Sequence, residues 1–222
     1  MKIMSQKIKI LLVDDHPLVR EGLANLINQQ SDFEVCGEAG NEPLALELIR
    51  TVQPDVSIVD ISLENGSGIE LIKSIKALHP AVTVLVLSMH EESLYAERAL
   101  RAGARGYIMK REAAKKIIQG IRSVLAGQLY VSDKIAAMMN EKYVEGRTAA
   151  TASPIEQLSN RELEVFQLMG LGNNNRQIAD HLHIGFKTVQ AYCARIKEKL
   201  KLANATELLR EAVRWHESQQ PK

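Results

Sequence analysis

The sequence predicts an α/β domain on a five-stranded parallel sheet of order 2-1-3-4-5, followed by a small all-α domain. Three observations predict it. Through residue 126, short apolar runs alternate with stretches whose apolar residues recur at helical spacing. From Leu158 onward the spacing is helical and strand signals are absent. Between the two, EGRTAATASP gathers small and polar residues and a proline, the composition of a linker.

The expected strands are Ile8–Val13, Phe33–Ala39, Asp55–Ile61, Val82–Leu87 and Gly106–Met109. The helices between them show as stripes. Leu18, Gly22, Leu23, Leu26 and Ile27 mark the first, and Leu44, Leu48 and Ile49 the second. Ile69, Ile72 and Ile75 mark the third, Ala96, Ala99 and Leu100 a weaker fourth, and Ile117, Ile118, Ile121 and Leu125 the fifth. Repeated βα units bury both faces of a parallel sheet, and right-handed crossovers leave few topologies. A further helix is expected over 132–143, then four short ones near 159–170, 174–182, 186–200 and 204–216. The expected division is 1–126, a linker with one helix over 127–153, and 154–222.

Composition bounds the function. With 45% hydrophobic and 25% charged residues, the chain excludes disordered, collagen-like and coiled-coil classes. Cys36 and Cys193 cannot by themselves build a disulfide scaffold or a zinc site. No apolar run reaches the ~18 residues of a membrane span. Two aspartates follow the N-terminus too closely for a signal peptide, so the expectation is a cytoplasmic protein without membrane association. The net charge of +1 speaks against nucleic acid until it is divided. Residues 1–153 hold 18 basic and 19 acidic side chains, whereas 154–222 hold 10 and 8. Lys187, Arg195, Lys197, Lys199 and Lys201 face only Glu198, a local net of +4.

Ligands of such sheets bind beyond the carboxyl ends of the strands. The first strand ends at Asp14 and Asp15, the third at Asp60, the fourth at Ser88, and the fifth leads into Lys110. Strands one and three are neighbours, so three carboxylates share one crevice. Crowded carboxylates repel unless a cation joins them, and Mg²⁺ takes hard oxygen ligands and phosphate. An aspartate can also accept a phosphoryl group. Lys110 and Ser88 could hold its oxygens. Alternatively, each aspartate simply caps the following helix. A second alternative keeps the nucleophile but makes the protein a phosphohydrolase.

The segments LLVDDHPLVREGL, VSIVDISL, VLVLSMH and GARGYIMK resemble the receiver domain of two-component response regulators, over residues 7–126. That resemblance implies a flavodoxin-like α/β receiver fold, with Asp60 as phospho-acceptor and Mg²⁺ held by Asp14, Asp15, Asp60 and the backbone carbonyl of Ser62. It implies that Ser88 and Lys110 sense the phosphate and that Tyr107 is the switch aromatic. The alternative reading of Tyr107 is a half-buried ring packing on the fourth helix. After Asp60 the chain reads ISLENGSG, without the family's proline near Glu64, and Ser62 replaces a bulkier residue.

In 174–200, two helices joined by a short turn, the second basic, suggest a helix-turn-helix. Ser159 with Glu162 fits a capping box; Glu162 and Glu164 could instead form a solvated acidic face. Residues 158–216 resemble the LuxR-type helix-turn-helix of NarL/FixJ-type response regulators. By that resemblance Gln190, Ala191 and Ala194 point at base edges. Lys187, Arg195 and Lys199 lie near phosphates, with Asn175, Arg176 and Thr188 contributing. The family often has basic residues where Gln190 and Ala194 stand, serine where Gly185 stands, and histidine where Tyr192 stands. Gln reads adenine and Ala can touch a thymine methyl, so an A·T-leaning half-site is expected. Leu208, Leu209 and Ala212 stripe the last helix, which either completes its own core or mediates dimerisation. The implied partners are a cognate sensor histidine kinase, double-stranded promoter DNA, a second copy on activation, and RNA polymerase.

Overall fold

The structure is a computed structural model that describes residues 7–63, 66–144 and 154–219. It divides into two compact units, Met1–Tyr143 and Val144–Lys222. The first contains β1 (Ile8–Val13), α1 (Pro17–Asn28), β2 (Phe33–Ala39), α2 (Glu42–Val52), β3 (Val56–Val59), β4 (Ser62–Leu63) and β5 (Gly66–Ser67). It continues with α3 (Gly68–Leu78), β6 (Thr83–Ser88), α4 (Glu92–Ala102), β7 (Gly106–Met109), α5 (Ala113–Leu125) and α6 (Asp133–Val144).

Five strands pair in parallel in the order β2-β1-β3-β6-β7, the 2-1-3-4-5 topology the βα alternation predicts. Alternate side chains serve opposite faces of the sheet. Ile10, Leu12, Val56, Ile58, Leu85 and Leu87 join Leu23 and Ile27 of α1 and Ile117, Ile121 and Val124 of α5 in one core. Leu11, Val13, Val59, Val84 and Val86 are buried on the other face, which α2, α3 and α4 cover. Each fully buried aliphatic side chain contributes ~1.5–3 kcal/mol. Local signals set the helix starts. Pro17 occupies the first turn of α1, where a missing N–H costs nothing, and Asn41 caps α2 by accepting from the Leu44 N–H at 3.0 Å.

Two features depart from the sequence reading. First, Ser62–Leu63 and Gly66–Ser67 form a small antiparallel ribbon that returns the chain across Asp60. The Gly68 N–H donates to the Ile61 carbonyl at 2.8 Å, and a Cβ at Gly68 would sit 1.9 Å from the Asp60 carbonyl oxygen. Only glycine allows so close an approach. Glu64, beside the missing proline, lies outside the described residues. Second, the chain past Gly127 stays on the first unit instead of leaving as a linker. Tyr130 pairs with Gly106 alongside β7: the Tyr107 N–H donates to the Tyr130 carbonyl at 2.8 Å, and the Tyr130 N–H to the Arg105 carbonyl at 3.0 Å. The Ser132 N–H then donates to the Glu92 carboxylate at 2.9 Å. These bonds satisfy an otherwise open strand edge. Residues 145–153, the rest of the expected linker, lie outside the described residues.

The second unit comprises α7 (Asn160–Gly170), α8 (Asn175–His181), α9 (Phe186–Leu200) and α10 (Ala205–Gln219). Ser159 and Glu162 make the expected capping box on α7, and Asn174 with Gln177 makes a second on α8. Leu163, Phe166, Ile178, Val189, Ile196 and Leu208 are buried. Among the described residues no helix is long and apolar enough to cross a membrane.

Candidate functional site

The carboxyl ends of β1, β3, β6 and β7 lie side by side, since Val13 pairs with Val59, Val59 with Val86 and Ser88 with Met109. The next residues out are Asp14, Asp60 and Lys110. Asp14 and Asp60 are almost fully buried, at 2% and 3% exposure, and Ser88 is buried completely. The Lys110 ammonium bridges the two carboxylates, 2.6 Å from Asp14 Oδ2 and 2.7 Å from Asp60 Oδ2. Burial pushes the Asp60 carboxyl up to about 6; Lys110 pulls against that and the Asp14 charge adds to it. Burial likewise opposes the Lys110 charge, but the two aspartates outweigh it and hold its pKa above the ordinary value.

Asp15 completes the acidic set from the rim. Ligand atoms of Asp14, Asp15, His16 and Asp60 lie within 4.8 Å of one another. Asp15 Oδ1 lies 2.6 Å from His16 Nδ1. Three carboxylates against one ammonium leave surplus negative charge, which a bound cation would neutralise. The donors are hard oxygens, so the site fits Mg²⁺ or a similar divalent ion. Arg20 fixes the loop from behind, donating from Nη1 to the Asp14 carbonyl at 2.6 Å and from Nε to Glu38 at 3.2 Å. The Ser62 N–H donates to Asp60 Oδ1 at 3.3 Å, which ties the turn after Asp60 to its carboxylate.

Tyr107 is buried to 2% exposure, and its hydroxyl donates to the His90 carbonyl at 2.8 Å. Burial pushes its phenol well above the ordinary range. The His90 N–H donates to Ser88 Oγ at 3.1 Å. The sequence reading missed His90, His16, Arg20 and Gly68. DDHP carried a signal for His16, because a residue preceding a first-turn proline caps the helix and stays beside the aspartates. Nothing local marked Gly68.

The second unit presents the other candidate surface. On α9, Lys187, Thr188, Gln190, Ala191, Ala194 and Arg195 are exposed along one side, opposite the buried Val189 and Ile196. Arg176 is exposed on α8, while Asn175 is half-buried with its Oδ1 3.9 Å from Cys193 Sγ. The Arg195 guanidinium lies over the Tyr192 ring at 5.8 Å.

Three expectations change here. Lys199, expected near phosphates, is engaged within its own unit. Its ammonium lies 2.6 Å from Glu162 Oε2 and 3.2 Å from the Gln157 carbonyl. Burial would raise the Glu162 pKa, but Lys199 and the Ser159 donors outweigh it and hold it below the ordinary value. Glu162 and Glu164 are not a solvated face: each is 3% exposed, and Glu164 pairs with Arg161 at 2.7 Å. Leu208 and Ala212 are buried within their own unit, and α10 approaches α7 so closely that a Cβ on Gly170 would stand 2.6 Å from the Ala212 carbonyl oxygen. Those two side chains are spent on the core, so of the stripe only Leu209, 44% exposed, faces outward. Burial raises the pKa of both Cys36 and Cys193, the opposite of an activated thiol.

Comparison with known proteins agrees with both units. The response regulator receiver domain family matches residues 10–122, and the luxR family of bacterial regulatory proteins matches 156–212. The chain is 34% identical over 210 residues to the oxygen regulatory protein NreC of Staphylococcus aureus, covering 93% of this chain and 97% of that protein. A solved two-component response regulator of the LuxR family from Aurantimonas sp. is 36% identical, with a TM-score of 0.58 over 63% of this chain and 99% of that one. RcsB of Salmonella enterica serovar Typhimurium, bound to promoter rprA with the phosphomimetic BeF3−, shares the fold. Its TM-score is 0.60 at 23% identity, over 94% of this chain and 99% of that chain.

Proposed function

The chain belongs to the response regulators that join a receiver domain to a luxR-type DNA-binding domain, and from that premise we propose that phosphorylation of Asp60 controls its binding to promoter DNA. The observation that carries this is the buried Asp60 carboxylate held by Lys110 and the Ser62 N–H beside an acidic, oxygen-rich cluster. A sensor histidine kinase is the phosphoryl donor. The Asp60 carboxylate attacks phosphorus, the donor's P–N bond breaks, and an acyl phosphate forms. Lys110 and Ser88 receive the phosphoryl oxygens. Asp14, Asp15, Asp60 and the Ser62 carbonyl would hold Mg²⁺, which supplies positive charge to neutralise the phosphoryl group. The chain's own catalysis is confined to this phosphotransfer and to hydrolysis of the acyl phosphate, in which water attacks phosphorus and releases inorganic phosphate.

The switch runs through the β6–α4 loop. Drawing Ser88 toward phosphate pulls on the His90 N–H, and the His90 carbonyl holds the Tyr107 hydroxyl. The state of α4 and β7 then sets whether the second unit pairs with another copy on DNA. Two linked half-site contacts raise affinity through effective concentration. On α9, Gln190, Ala191 and Ala194 read bases while Lys187, Thr188 and Arg195, with Arg176 and Asn175 of α8, hold the backbone. Leu209 is the residue of the α10 stripe placed for contact with a second copy. The protein acts in the cytoplasm, on RNA polymerase at its promoters.

Gel filtration with Mg²⁺ and a beryllofluoride mimic tests this. A mimic-dependent dimer that Asp60→Asn abolishes is expected; a dimer that survives the substitution puts the acceptor elsewhere.

A further inference from the structure

His90 touches the site through more groups than the switch described above uses. Its main chain serves Ser88 and Tyr107. Its side chain does something separate. Imidazole Nε2 lies 2.7 Å from Ser62 Oγ, on the turn that follows Asp60. The ring stacks on Tyr95 of α4, with centroids 4.4 Å apart and planes inclined by 29°. Tyr95 is among the largest fully buried side chains of the fold.

Ser62 thus has two ends. Its N–H donates to Asp60 Oδ1, and its hydroxyl bonds the imidazole. A phosphoryl group added to Asp60 changes the charge and position of the oxygen that the Ser62 N–H serves. Any shift of that turn moves the Ser62 hydroxyl. The hydrogen bond passes the shift to the imidazole, and the stacked ring passes it to Tyr95. Close-packed interiors respond to such displacements by repacking between discrete arrangements, not by yielding gradually. A surface histidine that merely lay on Tyr95 would have no need of the serine.

We propose that His90 is a positioning residue of the switch: the Ser62 Oγ–His90 Nε2 hydrogen bond ties the phospho-acceptor turn to α4 through Tyr95, a route parallel to the one through Ser88. The proposal rests on Asp60 being the acceptor. It also gives the small side chain of Ser62 a role. A bulkier, apolar residue there could not make the bond.

Two substitutions cut the same bond from opposite ends. His90→Phe keeps the stacked ring and both main-chain contacts but has no Nε2. Ser62→Ala keeps the N–H to Asp60 but has no hydroxyl. With the full-length chain, Mg²⁺ and beryllofluoride, dimerisation is measured by sedimentation and α4 protection by hydrogen exchange. Each change should weaken mimic-stimulated dimerisation about five-fold, the worth of one hydrogen bond. The double variant should be no weaker than either single one. In His90→Phe, Mg²⁺ affinity and α4 protection without the mimic should match the wild type, and only the mimic-induced change at α4 should shrink. Wild-type levels of stimulated dimerisation in either single variant overturn the proposal, as do effects that multiply in the double variant. A wild type that ignores the mimic instead overturns the assignment of Asp60, and the proposal falls with it.

Discussion

The Lys110 ammonium is 2.7 Å from Asp60 Oδ2 and 2.6 Å from Asp14 Oδ2, so one cation joins the ends of β1, β3 and β7. An isolated buried carboxylate is costly, and two side by side are costlier. Lys110 makes the pair tolerable without neutralising it. The residual cost is visible at Asp60, whose pKa burial lifts to about 6 despite that contact. If Asp60 is the acceptor, as proposed, a phosphoryl group arriving there meets a lysine already in place.

The raised Asp60 pKa makes the wild type resist ionisation at that position. Stability from this group is therefore fully present at low pH, below the unfolded carboxyl value, and lost as pH rises through about 6. Without divalent metal, Asp60→Asn should be more stable than the wild type at pH 8 by ~1–3 kcal/mol. The difference should close toward pH 4. Scanning calorimetry at several pH values checks it; a variant less stable than wild type at pH 8 would mean that Lys110 outweighs burial.

Asp15→Asn removes the rim carboxylate of the acidic cluster. Mg²⁺ affinity, followed by titration calorimetry, should fall about tenfold or more. Stripping the metal from the wild type with a chelator should abolish phosphoryl transfer to Asp60 and leave the fold intact, because Lys110 already bridges the core carboxylates.

Lys199 and Lys187 should behave as opposites. Lys199→Met strands the buried Glu162 carboxylate and should destabilise the DNA-binding unit by ~1–3 kcal/mol. The Glu162 contribution is present above the unfolded carboxyl pKa and lost as pH falls through its lowered folded value, so this penalty fades in acid. Lys187→Ala should leave stability unchanged and lower the salt dependence of DNA affinity by about one unit of slope. Equal losses of DNA affinity without any stability change at Lys199 would return that lysine to the phosphate contacts.

Gln190 faces outward on α9, and of the side chains proposed to read bases it is the one matched to adenine. In vitro selection should yield A·T-leaning half-sites, and Gln190→Arg should shift the preference toward guanine. Selection of G-rich sites by the wild type contradicts the assignment.

Gly68→Ala should be among the most damaging single changes in the first unit. Its Cβ would overlap the Asp60 carbonyl, which is backbone and cannot step aside. Loss of Mg²⁺ binding together with a fall in the melting temperature is expected. An alanine variant with wild-type Mg²⁺ affinity would show that the ribbon relaxes freely.

The sequence by itself determined the parallel sheet and its strand order, and placed Asp14, Asp15, Asp60, Ser88 and Lys110 at its strand ends. Apolar periodicity is local, and chain-crossing rules leave one common way to place five such strands. Strand ends then converge wherever the sheet puts them. Charge counted by segment also located the basic helix α9. Only the tertiary structure decided what each charge and each apolar stripe faces. Lys199 and Arg195 both belong to the basic stretch of α9, but only Lys199 meets a buried carboxylate from another helix. Leu208 and Leu209 are neighbours of one type, and the packing of α10 against α7 and α9 buries the first and leaves the second exposed. The same holds for Gly68 and His90. Gly68 meets the Asp60 carbonyl because the small ribbon folds back, and His90 meets Ser62 across 28 residues of chain, and neither approach leaves a periodic mark in the sequence.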